Sequence, residues 1–292
     1  MGIEYDGSRY HGWQAQKKPK LPTLQETLEK ALSFVANHTI TIVCAGRTDA
    51  GVHAKEQVIH FDTESSRTDY SWQYGANSCL PKDISILWIK QVPKDFHARF
   101  SAQARAYRYI IHNHPIRPAI LRAGLTWHYP KLDEDKMQQA AQCLLGEHDF
   151  SSFRAAQCQS KTPYRHVHSI HVYRQEKLVI LDIEANAFLY HMVRNIAGVL
   201  MRVGEGVQPV EWVQEVLEKK DRRQAAVNAE PNGLYLTKVK YPDVYNLPTS
   251  VEGMAESLAT MQSNPAYVEE LEGIEQALNS SLPIEKEQWW KK

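Results

Sequence analysis

Cysteine is scarce in this 292-residue sequence: Cys44, Cys79, Cys143 and Cys158 stand far apart, and no two form a C-x-x-C pair. That spacing speaks against a disulfide framework and fits a reduced, cytoplasmic protein with incidental buried thiols. No apolar run approaches the roughly 18 residues that cross a bilayer, so no membrane partner is expected. The opening residues, MGIEYDGSRY, lack the basic and apolar regions of a secretory signal. A P-loop and a dinucleotide fingerprint are also missing, which removes the common nucleotide-driven and redox chemistries from the sequence-level reading. Hydrophobic residues make up 43% and charged residues 23%, an ordinary globular balance. The length allows two modest domains or one large one, either with a packed core.

An excess of one charge is also lacking, but only in the sum. Residues 244–292 carry eight acids and three bases, whereas residues 1–243 carry 26 acids and 31 bases, a net +5. The main body is therefore mildly basic, which permits a polyanionic partner without demanding one.

The stretch around which the chain is organised is 45–54, AGRTDAGVHA. A β-branched run (39–43) precedes it and a strand-like run (57–61) follows it. Gly46 and Gly51 let the backbone turn sharply and approach a ligand, and between them lie Arg47 and a single carboxylate, Asp49. Taken alone, the loop suits a polar hairpin with an Asx-turn as well as it suits a catalytic site.

Along the chain, residues 2–5 read as a strand end before the Asp6-Gly7 turn. Either this first strand is short or the chain starts upstream. Lys17, Lys18 and Lys20 form a basic loop. Residues 23–37 read as a helix: Thr23 and Glu26 fit a capping box, and Leu24, Leu28, Ala31, Leu32 and Val35 make one buried face. A short helix is expected over 70–77 and strands over 84–92 and 104–113, the latter with Tyr107, Tyr109 and Ile111 on one face. A second α/β unit then begins. Asp133 caps a helix closed by Gly146, strands 163–173 and 177–187 pair, helices follow at 191–203 and at 209–219 with Pro209 in the first turn, and 234–241 is a final strand. His166, His168 and His171 invite a metal reading. On a regular strand, however, His171 faces away from the other two, and no thiol or carboxylate completes a set, so no metal is expected.

The loop AGRTDAGVHA closely resembles the active-site loop of the tRNA pseudouridine synthase A family. Further blocks resemble that family in the same order: GIEYDGS (2–8), HGWQ (11–14), FHARFSA (96–102), YRYII (107–111), DFSSF (149–153), HMVRN (191–195) and GLYL (233–236). Together they cover roughly residues 1–243. The resemblance implies an α/β (α+β) fold of two similar domains, 1–104 and 105–243. Each would be a mainly antiparallel sheet with helices on one face, with the active-site cleft between them and 244–292 an acidic, partly disordered or helical appendage. It implies an isomerase turning uridine into pseudouridine at positions 38, 39 and 40 of the tRNA anticodon stem-loop, as a homodimer and without a cofactor. It places Asp49 as the nucleophile and Tyr107 and Arg47 at the substrate. Tyr107 would stack on the flipped uracil, and Arg47 would keep the carboxylate ionised and fill the vacated space in the RNA helix. RNA contacts are expected from Phe96, His97, Ala98, Arg99 and Phe100, where aromatics interleave with cations, and from Gln157, Cys158, Gln159, Ser160 and Lys161. Arg194 is a further candidate partner of Asp49, although a lone Arg on an amphipathic helix usually faces solvent. Two other readings stay open: a catalytically idle tRNA-binding or folding protein, and a metal-dependent hydrolase of RNA.

Overall fold

The chain is described by a computed structural model over residues 1–16 and 21–248. The three lysines at 17, 18 and 20, and all of the acidic appendage after 248, lie outside the described residues.

The capping box forms at the start of the first helix, α1 (Leu24–Ala36), but not in reciprocal form. The Thr23 hydroxyl donates to Glu26 Oε2 at 2.7 Å while accepting weakly from the Glu26 amide at 3.5 Å. Asn37, in the left-handed region at φ 59°, ends the helix. Leu24, Leu28, Ala31 and Leu32 are buried and Val35 partly so, as the 3.6-residue period requires.

The run 39–43 departs from expectation. Only β2 (Val43–Cys44) is strand, because the amides before it bond to helix side chains instead of a ladder. Ile40 N–H donates to Ser33 Oγ at 2.8 Å and Ile42 N–H to Glu29 Oε1 at 3.1 Å. The following strand is longer than expected: β3 (His53–His60) begins inside the central motif.

The remaining elements follow in order. They are β1 (Gly2–Tyr5) at the start, then α2 (Asp69–Cys79), β4 (Ile84–Trp88), β5 (Ala104–Asn113), β6 (Thr126–His128), α3 (Glu134–Ala141), β7 (Gly146–Asp149), β8 (Tyr164–Gln175), β9 (Leu178–Ala185), α4 (Met192–Gly204), α5 (Trp212–Lys219) and β10 (Leu234–Lys240). Pro209 stands before α5 rather than in it, its carbonyl accepting from the Trp212 amide at 3.2 Å.

Among the described residues, ten strands form one sheet in the order β4-β1-β3-β10-β5-β9-β8-β7, with β2 added to β3 and β6 to β5. All pairs are antiparallel except β3–β10 and β5–β6. The sheet is thus a mixed α/β architecture, mainly antiparallel. It is also continuous: β10, the last of the described strands, stands between β3 and β5 and joins the two halves through the short parallel register Tyr235↔His53 and Leu236↔Ala54. Buried residues from both halves belong to one hydrophobic cluster.

A bulge in β8 between Val167 and Ser169 shifts the side-chain alternation by one. Val167, Ile170 and Val172 are consequently all buried, and His166, His168 and His171 are all exposed, contrary to the regular-strand reading of His171. Among the described residues no group of three or more His, Cys, Asp or Glu side chains is placed to hold a metal ion, and no helix is long and apolar enough to cross a membrane.

Candidate active site

The loop 45–54 is held in shape by the N-terminal segment. The Thr48 carbonyl accepts from the Trp13 amide at 3.0 Å, the Thr48 hydroxyl bonds Tyr5 OH at 2.8 Å, and Gly51 N–H donates to the Tyr10 carbonyl at 3.3 Å. A side chain at Gly7 would sit 1.9 Å from the Val52 carbonyl oxygen. The GIEYDGS and HGWQ blocks are therefore the bed of the loop. Gly51 takes φ +77° as the chain turns, and Val52 N–H closes the turn on the Asp49 carbonyl at 3.2 Å. From the other side, buried Arg105 on β5 donates to the carbonyls of Ala45 (3.0 Å), Arg99 (2.6 Å) and Asn186 (2.9 Å). One guanidinium thus ties the loop, the FHARF block and the turn after β9. By strand alternation it shares the face of Tyr107 and Tyr109, whereas Arg108 lies on the other face and pairs with Asp182.

So oriented, the Asp49 carboxylate meets the start of α4, contributed by the other half of the chain. Its Oδ2 lies 3.4 Å from His191 Nε2 and 3.5 Å from Arg194 Nη1. The three side chains are only 17%, 22% and 12% exposed, in the order Asp49, His191, Arg194, so little water screens the pair. Burial pushes the Asp49 carboxyl above the usual carboxylate range, with His191 and Arg194 pulling against it. Burial lowers the His191 imidazole; Asp49 opposes that, while Arg194 and Arg222 add to it. Arg194 is fixed by a strap, residues 227–230: its Nε donates to the Ala229 carbonyl at 2.8 Å, and its own carbonyl accepts from Ala229 N–H at 3.0 Å. The usual expectation of a solvent-facing arginine fails here because the first turn of α4 packs between the Asp49 loop and the strap.

Tyr107 is buried, its ring edge-on to Phe188 at 5.0 Å. Burial and then the Asp49 charge push its phenol far above the usual range, so it stays protonated. Arg47 is exposed and makes no hydrogen bond or ion pair among the described residues. The partners that oppose the burial of the Asp49 charge are His191 and Arg194, not Arg47, which corrects half of the role expected for Arg47.

The FHARF block is divided. Phe96 and Ala98 are core, with the Phe96 ring against Tyr241 and Tyr245. His97 Nδ1 accepts from the amides of Arg99 and Phe100, its ring stacking on Phe100 at 4.3 Å. Arg99 and Phe100 are exposed, Phe100 at 75%. Of the other segment, Gln157, Gln159 and Lys161 are exposed, while Cys158 and Ser160 are half-buried, their carbonyls held by Arg154. Cys158 Sγ accepts from the Tyr190 amide at 3.4 Å, and the Tyr190 ring lies 3.9 Å from that of His191. This loop therefore adjoins the carboxylate site. DFSSF is structural: Phe150 and Phe153 are fully buried, and the Phe153 carbonyl accepts from Asn195 of α4.

His191, Asn228 and Arg105 belong to the site without being expected there from the sequence. The HMVRN block contained the signal for His191, which lies three residues before Arg194. Asn228 sits in a stretch without motif or periodicity, and only tertiary contact marks it.

A carboxylate buried at the meeting of two halves of a sheet, braced by a cation and an imidazole beside a neutral tyrosine, defines an enzyme site suited to nucleophilic or charge-stabilising work. A family profile described as tRNA pseudouridine synthase matches residues 1–101 and 140–242. The tRNA pseudouridine synthase A of Coxiella burnetii (strain Dugway 5J108-111) is 60% identical over 248 residues, 85% of this chain and 94% of its own. That of Histophilus somni (strain 2336) is 56% identical over 253 residues (87% and 93%). That of Escherichia coli O1:K1 / APEC is 59% identical over 248 (85% and 91%). A solved chain from "Crystal Structure of a Cbf5-Nop10-Gar1 Complex" aligns at TM-score 0.36 and 11% identity, over 82% of this chain and 48% of that one, too slight a likeness to weigh. The chain belongs to the tRNA pseudouridine synthase family. It is an isomerase converting uridine to pseudouridine in tRNA.

Proposed function

We propose that Asp49 is the nucleophile of this isomerisation and that the uridines taken are those at positions 38, 39 and 40 of the anticodon stem-loop, with the enzyme acting as a cytoplasmic homodimer. The reading of Asp49 rests on one observation above all: it is the carboxylate to which the second half of the molecule delivers both Arg194 and His191. The choice of positions, the dimer and the compartment rest on the resemblance of the sequence blocks to the synthase A family. Residues 1–104 and 105–243 are read as two units meeting at this cleft, a division supported by the short parallel β3–β10 register.

In the reaction the C1′–N1 bond breaks, the uracil turns, and C5 joins C1′; C5 gives its proton up to solvent and the freed N1 takes one up. The flipped nucleotide costs a few kcal/mol in lost stacking and pairing, offset by phosphate contacts. Asp49 attacks C1′ or uracil C6, and Arg194 keeps the carboxylate ionised against its burial. Tyr107 stacks on the uracil and, with its phenol neutral, can only relay the proton that C5 loses, accepting it as it passes its own on. Exposed Arg99, Phe100 and Lys161 meet RNA, and Arg47 fills the gap left by the flipped base.

The test uses unmodified tRNA carrying tritium at uracil C5. Wild-type protein should release tritium without added metal. Asp49→Asn should lose at least about a thousandfold in rate while still binding tRNA. Substantial release by Asp49→Asn removes the nucleophile assignment. An idle binding protein would release none at all, and EDTA-sensitive strand cleavage would mark a hydrolase.

A further inference from the structure

His191 occupies a backbone conformation that residues other than glycine take uncommonly, though histidine more readily than most. It stands at φ 62°, ψ 8°, in the left-handed region, immediately before α4, and its side chain does not cap the helix. Strained positions of this kind persist where the surroundings over-determine them, and they cluster at functional sites. Here the ring is fixed on three sides: Tyr190 packs against it at 3.9 Å, Asn228 Nδ2 meets Nδ1 at 3.3 Å, and Nε2 faces Asp49 Oδ2 at 3.4 Å. An amide nitrogen can only donate, so Nδ1 accepts and, in the neutral ring, the proton sits on Nε2, which touches the carboxylate at 3.4 Å without a formed hydrogen bond. Contacts of this length in catalytic sites tighten in the reacting complex.

Both partners of Asp49 engage the same oxygen, since Arg194 Nη1 also reaches Oδ2. Among the described residues no hydrogen bond or ion pair to Oδ1 is formed. The strap 227–230 stands behind both donors: Asn228 orients His191 while Ala229 holds Arg194 at two points. The strap is itself registered on α4 at Gly198, where a β-carbon would lie 2.2 Å from the Val227 carbonyl oxygen.

We propose that His191, oriented by Asn228, is a positioning residue that holds Asp49 by Oδ2 through Nε2–H and leaves Oδ1 as the attacking oxygen. The inference rests on Asp49 being the nucleophile. It adds a residue whose work is to fix which lone pairs meet the sugar or the uracil.

Three substitutions at one position test it. Glutamine places a donating amide where Nε2 stood, whereas asparagine mimics Nδ1 and falls short of Asp49. The backbone ranks them the other way, because asparagine tolerates the left-handed region better than glutamine or alanine. In single-turnover tritium release at saturating tRNA, His191→Ala and His191→Asn should fall by about tenfold or more, with tRNA affinity within about twofold of wild type. His191→Gln should recover most of the rate despite the poorer backbone fit. A rate order with Asn above Gln, or a wild-type rate for His191→Ala, overturns the proposal and makes His191 a folding residue. A second readout needs no turnover: ¹⁵N-resolved NMR of the histidine rings should show His191 as the Nε2–H tautomer, and an Nδ1–H ring overturns the assignment. Asp49→Asn is run alongside. If it stays active, the nucleophile reading itself has failed; if it is inert while the three His191 variants rank by backbone, only the positioning role has.

Discussion

At the scale of single residues, Asp49 shows a conflict between stability and function. Its carboxyl is raised by burial beyond what His191 and Arg194 recover. Its ionisation therefore opposes folding at any pH above the ordinary carboxylate range, and that penalty fades as the pH falls through the raised value. Asp49→Asn mimics the neutral form, so its melting temperature near neutrality should equal or exceed that of wild type, and the difference should close on acidification. A clear loss of stability on thermal melting would mean that the ion pair, not the burial, dominates. Tyr107→Phe keeps the ring against Phe188 and deletes only the hydroxyl. It should bind tRNA normally and fold normally, while tritium release slows by at least about tenfold if that hydroxyl handles the C5 proton. Equal rates for Phe and Tyr would leave the residue only a stacking surface.

At the scale of elements, three segments far apart in sequence form the site: the loop between β2 and β3, the first turn of α4, and the strap that follows α5. The strap reaches them all. Beyond Asn228 and Ala229, the Glu230 carbonyl accepts from Tyr109 of β5 at 2.7 Å, and Pro231 lies 3.1 Å from where a β-carbon on Gly51 would be. Gly198→Ala drives a methyl group into strap backbone, which cannot rotate aside. Overpacking of this sort costs about 1–3 kcal/mol. The variant should melt earlier and also turn over more slowly at saturating tRNA, because moving the strap moves His191 and Arg194. A stability loss with turnover unchanged would uncouple the strap from the site. The FHARF block shows the same economy of placement: Phe96 and Ala98 fasten the segment, so that Arg99 and Phe100 can stand out from it.

At the scale of the whole molecule, the basic surplus of residues 1–243 is masked by the acidic stretch after them. RNA binding by this body should weaken steeply with salt, at a logarithmic slope of roughly −0.7 per phosphate neutralised on a single strand. Arg99→Ala should reduce affinity and flatten that slope, and an unchanged slope would leave Arg99 out of the RNA interface. A chain ending at Asn246 lacks the acidic stretch and should release tritium within about threefold of the full chain, less than 1 kcal/mol in barrier. Loss of folded protein or of activity in that shortened chain would show the appendage to be part of the working enzyme.

Several features followed from the sequence alone. The 3.6-residue period fixed the buried face of α1 and strict alternation fixed which face of β5 carries Tyr107 and Tyr109, whereas Asp49 stood out only through the resemblance of its loop to the synthase A family. Local rules suffice for those two faces because the interactions that decide the outcome lie within a few residues. They failed wherever a distant group took over. The amides of Ile40 and Ile42 bond to α1 side chains, so a β-branched run remains outside the ladder. A bulge in β8 turns His171 to the side of His166 and His168. Above all, the partners of Asp49 could not be chosen by spacing: Arg47 stands two residues away and turns to solvent, while Arg194 and His191 arrive from the second half of the chain. A charge selects its partner by distance in space and by the exclusion of water, and only the folded sheet, closed by β10 between β3 and β5, sets both.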